Sequence, residues 1–91
     1  MKLTEKEIQE KIKDLEGWVY QEDGLQMTYE FEDFKDAFSA MTRIAFEAEL
    51  LGHHPDWSNS YNKLYIHLTT HEEGGITEKD FELAAIIDAV V

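Results

Sequence analysis

Two stretches of strict alternation constrain this chain more than any other feature. Leu25, Met27, Tyr29 and Phe31 alternate with polar residues, and Leu64, Ile66 and Leu68 alternate with Tyr65, His67 and Thr69. A period of two marks a strand with one buried face. Each stretch follows a shorter strand-like segment across a turn. Trp18–Gln21 leads into Glu22-Asp23-Gly24, and Trp57–Tyr61 leads into Asn62-Lys63. Both pairs read as β-hairpins, the first with an Asp-Gly turn signal.

Helical patterns occupy the rest. Thr4 and Glu7 are spaced as a capping box, Ile8, Ile12 and Leu15 recur at helical intervals, and Gly17 ends the pattern. Asp33 can cap a longer helix whose stripe holds Phe34, Ala37, Phe38, Met41, Ile44, Ala45, Ala48 and Leu51. Phe46 and Leu50 lie off that stripe and either widen the core face or meet another subunit. Thr77 can cap a last helix, with Ile76 and Phe81 as its hydrophobic staple and Leu83, Ile86, Ile87 and Val90 on its apolar face. The order is αββαββα. It predicts an α+β fold of two layers, an antiparallel four-stranded sheet with three helices on one face. Residues 1–91 form one domain, with no linker or low-complexity tract.

A chain of 91 residues has room for one core. It buries only roughly 60–65% of its unfolded surface, so a homodimer or homotetramer would add useful burial. Twenty acids against eight bases leave a net charge of -12. That balance disfavours contact with nucleic-acid phosphates or anionic membranes. No cysteine is present, which excludes disulfides, thiolate nucleophiles and sulfur-ligated metals. The start, Met1 to Lys6, lacks the apolar run of a secretory signal, and no apolar stretch is long enough to span a bilayer. The expected location is cytoplasmic.

The chemistry gathers in two loops. His53 and His54 follow Gly52 at the end of the long helical pattern, and the only proline, Pro55, stops them. Asp56 and Trp57 come next. His71 lies in Thr69-Thr70-His71-Glu72, between a strand and the last helix. Histidine exchanges protons near neutral pH, so three histidines at element ends suggest an acid–base site. A polar turn with incidental histidines is the plainer alternative. His67 sits between two core-facing residues and should point away from the core, as an ordinary sheet-surface residue. No spacing matches a metal motif: His71-Glu72 has glycine, Gly75, where His-Glu-x-x-His needs its second histidine. Ser58 and Ser60 lie in no nucleophile elbow, and Gly74-Gly75 is a turn rather than a phosphate loop. Trp18 should pack in the core. Trp57 could pack there or offer a flat surface to a planar ligand.

Taken together, Glu49-x-x-x-His53-His54-Pro55-Asp56-Trp57, Tyr61-Asn62-Lys63, Thr69-Thr70-His71-Glu72 and Gly75-Ile76-Thr77-Glu78-Lys79-Asp80 resemble the pterin-4a-carbinolamine dehydratase family. Gly17-Trp18 and Phe31-x-Asp33-Phe34 fit the same pattern, so the resemblance covers nearly the whole chain. It implies dehydration of 4a-hydroxytetrahydropterin to the quinonoid dihydropterin, without metal or bound cofactor. It implies catalytic roles for His53, His54 and His71. It also implies substrate contacts at Gly52, Thr69, Thr70 and Glu72, with Trp57 beside them. Many relatives carry a polar or acidic residue where this chain has Gly52. Animal relatives also serve as dimerisation partners of a homeodomain transcription factor, a role that nothing in this sequence requires. A non-catalytic assembly or transcriptional-cofactor protein on the same scaffold is the alternative.

Overall fold

Seven regular elements run in the expected order in the computed structural model, which describes residues 1–91. They are α1 (Glu5–Lys11), β1 (Val19–Gln21), β2 (Gly24–Glu30), α2 (Phe34–Leu51), β3 (Asp56–Ser60), β4 (Lys63–Leu68) and α3 (Glu78–Val90). Short 3₁₀ turns follow α1 at Ile12–Asp14 and β4 at His71–Glu73. The sheet is antiparallel throughout, in the order β1-β2-β4-β3.

The alternation read from the sequence sets the register. Leu25 faces Leu68, Met27 faces Ile66 and Tyr29 faces Leu64 across β2 and β4. Cross-strand partners share a face, so these six line the helix side. Leu25, Leu64 and Leu68 are wholly buried there with Ile44, Leu83 and Ile87 from the helices. Burying one such side chain contributes roughly 1.5–3 kcal/mol, so a register slip would forfeit the core at once. The opposite face carries Gln26, Thr28, Ser58, Tyr65 and His67.

The helix caps follow the sequence. Thr4 and Glu7 form the capping box of α1: the Glu7 N–H donates to Thr4 Oγ1 over 3.2 Å, and the Thr4 N–H donates to Glu7 Oε1 over 2.8 Å. Asp33 caps α2, and Thr77 caps α3.

Four local expectations are corrected. The α-helical part of α1 stops at Lys11, six residues before Gly17; the 3₁₀ turn intervenes, and Gly17 adopts φ 91° in the link to β1. The first hairpin turns on Glu22 and Asp23, both left-handed, and Gly24 is already in β2. The second turns on Tyr61-Asn62, one residue earlier than Asn62-Lys63, because Ser60 pairs with Lys63. Phe34, Phe38 and Ala45 are exposed rather than in the core stripe of α2. The inward face is Ala37, Ala40, Ile44 and Ala48. Small side chains occupy the buried face of α2, and the bulkier phenylalanines stand on its solvent side.

Candidate active site

The end of α2 places the histidine pair. Gly52 takes φ 72°, a left-handed conformation that glycine adopts at little cost. Its N–H and that of His53 both donate to the carbonyl of Ala48. The chain then leaves the helix axis, and the neighbouring side chains diverge. His53 turns inward and is 8% exposed, whereas His54 stays in solvent.

His53 meets a buried carboxylate. Its Nε2 lies 2.6 Å from Oδ1 of Asp80, which is wholly buried in the first turn of α3. Oδ2 of Asp80 accepts the Thr77 N–H and the Thr70 hydroxyl, each over 2.8 Å. Both of these neighbours offer protons, so the carboxylate has only to accept, and the N-terminal end of a helix favours negative charge. His53 therefore donates through Nε2–H. Nδ1 has no protein partner. Since no fully buried side-chain nitrogen or oxygen in the molecule lacks one, Nδ1 keeps some exposure to solvent, in a residue that lines the cleft. Asp80 thus fixes the tautomer that turns the Nδ1 lone pair outward when the ring is neutral.

The other two histidines also have carboxylate partners. Nε2 of His54 is 2.5 Å from Glu49 Oε2 on the last turn of α2, and both groups are exposed. Nε2 of His71 is 3.2 Å from Asp56 Oδ2 at the start of β3. His71 is carried by the 3₁₀ turn, which Gly74 closes with φ 75°. Each histidine is thus oriented from a different element: α3, α2 or β3.

Two adjoining clefts open here. One, of about 230 Å³, is lined by Gly52, His53, His54, Pro55, Asp56, Thr69, His71 and Glu72. The other, of about 310 Å³, shares Gly52, His53 and Glu72 and continues past Thr70, Glu73, Thr77, Glu78 and Lys79. All three histidines expected from the sequence line the first. Gly52, Thr69 and Glu72 are there too. The Thr70 side chain is committed elsewhere: its hydroxyl bonds Asp80 and Thr77. Trp57 is not brought to the clefts. It pairs with Ile66 on the helix side of the sheet and packs, half-buried, against the core.

Asp80 is the residue of this histidine cluster that the sequence did not single out. The signal was present as the acid three residues after the Thr77 cap, and capping accounts for it fully unless the fold is known. A metal would find three close carboxylates only at Glu32, Asp33 and Asp36. That group sits at the far end of α2 from His53, and Asp33 Oδ1 already accepts the Asp36 N–H.

Comparisons with known proteins bear on the family and the fold. A family model described as pterin 4 alpha carbinolamine dehydratase matches residues 1–90. A protein of Christiangramia forsetii, provisionally named as a pterin-4-alpha-carbinolamine dehydratase, is 52% identical over 90 residues, 99% of this chain and 93% of its own. A Rhizobium meliloti protein with the same provisional name is 48% identical over 89 residues, 96% of this chain and 86% of its own. The crystal structure of a transcriptional coactivator/pterin dehydratase from Brucella melitensis superimposes with a TM-score of 0.96 at 38% identity, covering 99% of this chain and 98% of that one. With its fold matched from end to end, the chain belongs to the pterin-4-alpha-carbinolamine dehydratase family.

Proposed function

We propose that this protein dehydrates 4a-hydroxytetrahydropterin to the quinonoid dihydropterin by histidine acid–base catalysis, without metal or cofactor. Family membership supports the reaction. The observation that carries the mechanism is the His53–Asp80 pair, which leaves Nδ1 without a protein partner in a residue that lines the cleft. The reaction breaks the bond from C4a to its hydroxyl and forms the C4a–N5 double bond. One group protonates the departing hydroxyl, and another takes the proton from N5. His53 suits the second task, and His71, from the opposite loop, the first. His54, next to Pro55, orients the substrate. Gly52, Thr69 and Glu72 border the ring, and Thr70 acts through Asp80.

Steady-state kinetics on synthetic 4a-hydroxytetrahydropterin test this. Alanine at His53 or His71 should lower kcat about 10- to 10⁴-fold, since each acts in the transition state. Alanine at His54 should act mainly on KM. A folded wild-type protein no faster than buffer would sink the whole reading. If His54→Ala loses most kcat while the other two stay near wild type, the division of roles is wrong.

The working form is a homodimer or homotetramer in the cytoplasm. Phe34, Phe38, Phe46 and Leu50 stand 47–83% exposed along α2, a stripe that oligomerisation would cover. A second reading, assembly or transcriptional coactivation without catalysis, draws on the same stripe and on the description of the Brucella protein as a transcriptional coactivator. Oligomers that form normally from a chain without dehydratase activity would favour it.

A further inference from the structure

His67 lies on the outer face of the sheet, in a position the proposed chemistry does not use. It is the cross-strand partner of Asp56, so the rigid β3–β4 ladder holds the two side by side. Its ring rests against Gly24, where an added Cβ would overlap the imidazole. Gly24 has no left-handed backbone, so what glycine supplies here is room for the ring rather than a turn. Nε2 of His67 faces the Glu22 carbonyl oxygen at 3.3 Å, and Nδ1 lies 3.9 Å from Asp56 Oδ2. That distance is beyond a hydrogen bond but within reach of an ion pair when the ring is charged. The same Oδ2 meets His71 Nε2 at 3.2 Å. One carboxylate oxygen thus stands between a clamped histidine of the sheet and the exposed histidine of the catalytic loop.

We infer that Asp56 and His67 are positioning residues that set the orientation of His71 for catalysis. This rests on the proposed dehydratase reading. His71 is 77% exposed on a short turn, and Glu72, His53 and His54 are, besides Asp56, the other titratable groups bordering its cleft. Of the groups around it, only Asp56 bonds its ring and belongs to the sheet. An exposed carboxylate has many rotamers, and ordering one costs side-chain entropy. His67, fixed between Gly24 and Glu22, narrows the choice for Asp56. Asp56 then narrows it for His71. The surface contacts are individually weak, so their effect should appear in kcat rather than in stability.

The test uses Asp56→Asn, His67→Thr, their double variant and Gly24→Ala, with fold checked by circular dichroism. Asp56→Asn should lower kcat about 3- to 30-fold with KM nearly unchanged, a fraction of a full acid–base contribution. His67→Thr should lower it about 2- to 5-fold, and the double variant should fall no lower than Asp56→Asn alone, because both act through one oxygen. Gly24→Ala, which displaces the ring without removing it, should reproduce His67→Thr. Wild-type kcat in His67→Thr and Gly24→Ala would overturn the inference, as would a double variant showing the product of the two single losses. The ring-nitrogen chemical shifts of His71 give a readout independent of turnover. They should move in His67→Thr and stay put when that change is made on top of Asp56→Asn; no movement in the single variant overturns the inference. If the wild type itself fails to dehydrate the pterin, the functional proposal falls, and the shifts alone decide this one.

Discussion

At Asp80 one carboxylate both closes the first turn of α3 and holds the His53 ring. The two uses can be separated by substitution. Asparagine can still accept from Thr77 and Thr70, but its amide would turn a donor toward His53. The ring must then accept through Nε2, which places the proton on Nδ1, on the wrong side for a base. Asp80→Asn should therefore lower kcat roughly 10- to 10³-fold, with His53 in the opposite tautomer by nitrogen-detected NMR. Asp80→Ala leaves buried donors unpaired as well. It should cost about 1–3 kcal/mol in a denaturant melt on top of the kinetic loss. An Asp80→Asn variant with wild-type kcat would show that the pair is only structural.

Among the elements, α2 has two distinct faces. Its inward face of alanines and Ile44 admits no added bulk, so Ala40→Leu should destabilise by about 1–3 kcal/mol in chemical denaturation. Its outward face carries Phe34 and Phe38 near the start and Phe46 and Leu50 near the end, and the last two are the most open to solvent. Phe46→Glu with Leu50→Glu should sediment as a folded monomer at micromolar concentration, where the wild type should sediment as the proposed homo-oligomer. A smaller effect belongs to α1. The Thr4 backbone N–H, then the Thr4 hydroxyl, hold the Glu7 carboxyl below its usual range. The capping contribution is therefore complete above the usual glutamate range and is lost as pH falls through the lowered value.

At the scale of the molecule, α3 is fastened to the sheet by Asp88. It accepts from the Trp18 indole N–H over 3.1 Å and from the Tyr29 hydroxyl. Burial, then the bond to Asp88, push the Tyr29 phenol well above the ordinary tyrosine value of 10.0. The folded state therefore keeps this proton more tightly than the unfolded chain. Its contribution is complete below pH 10.0 and declines as pH rises beyond it. Thermal melts above that pH should show a steeper loss for the wild type than for Tyr29→Phe. The net charge of -12 adds a general repulsion. Raising salt from a low level should raise Tm through screening, with no change in fold.

Much of this architecture was legible in the chain. Period-two alternation in Leu25–Phe31 and Leu64–Leu68 determined the buried strand faces, and hence the sheet register, because a slip of one residue would expose every one of those side chains. Thr4, Asp33 and Thr77 marked helix starts through local bonds that need no distant partner. The two histidine loops were legible for the same reason, as residue types at element ends. Helical spacing could not decide which side of α2 faces inward, since Phe34 and Phe38 fit an apolar stripe as well as Ala37 and Ala40 do. Nor could it show that Gly24 makes room for His67, or that Trp57 packs against the core. Asp80 is 27 residues from His53 along the chain and 2.6 Å away in space. Only the docking of α3 against the end of α2 brings the carboxylate to the ring, so only the tertiary structure decided which nitrogen of His53 is free to act.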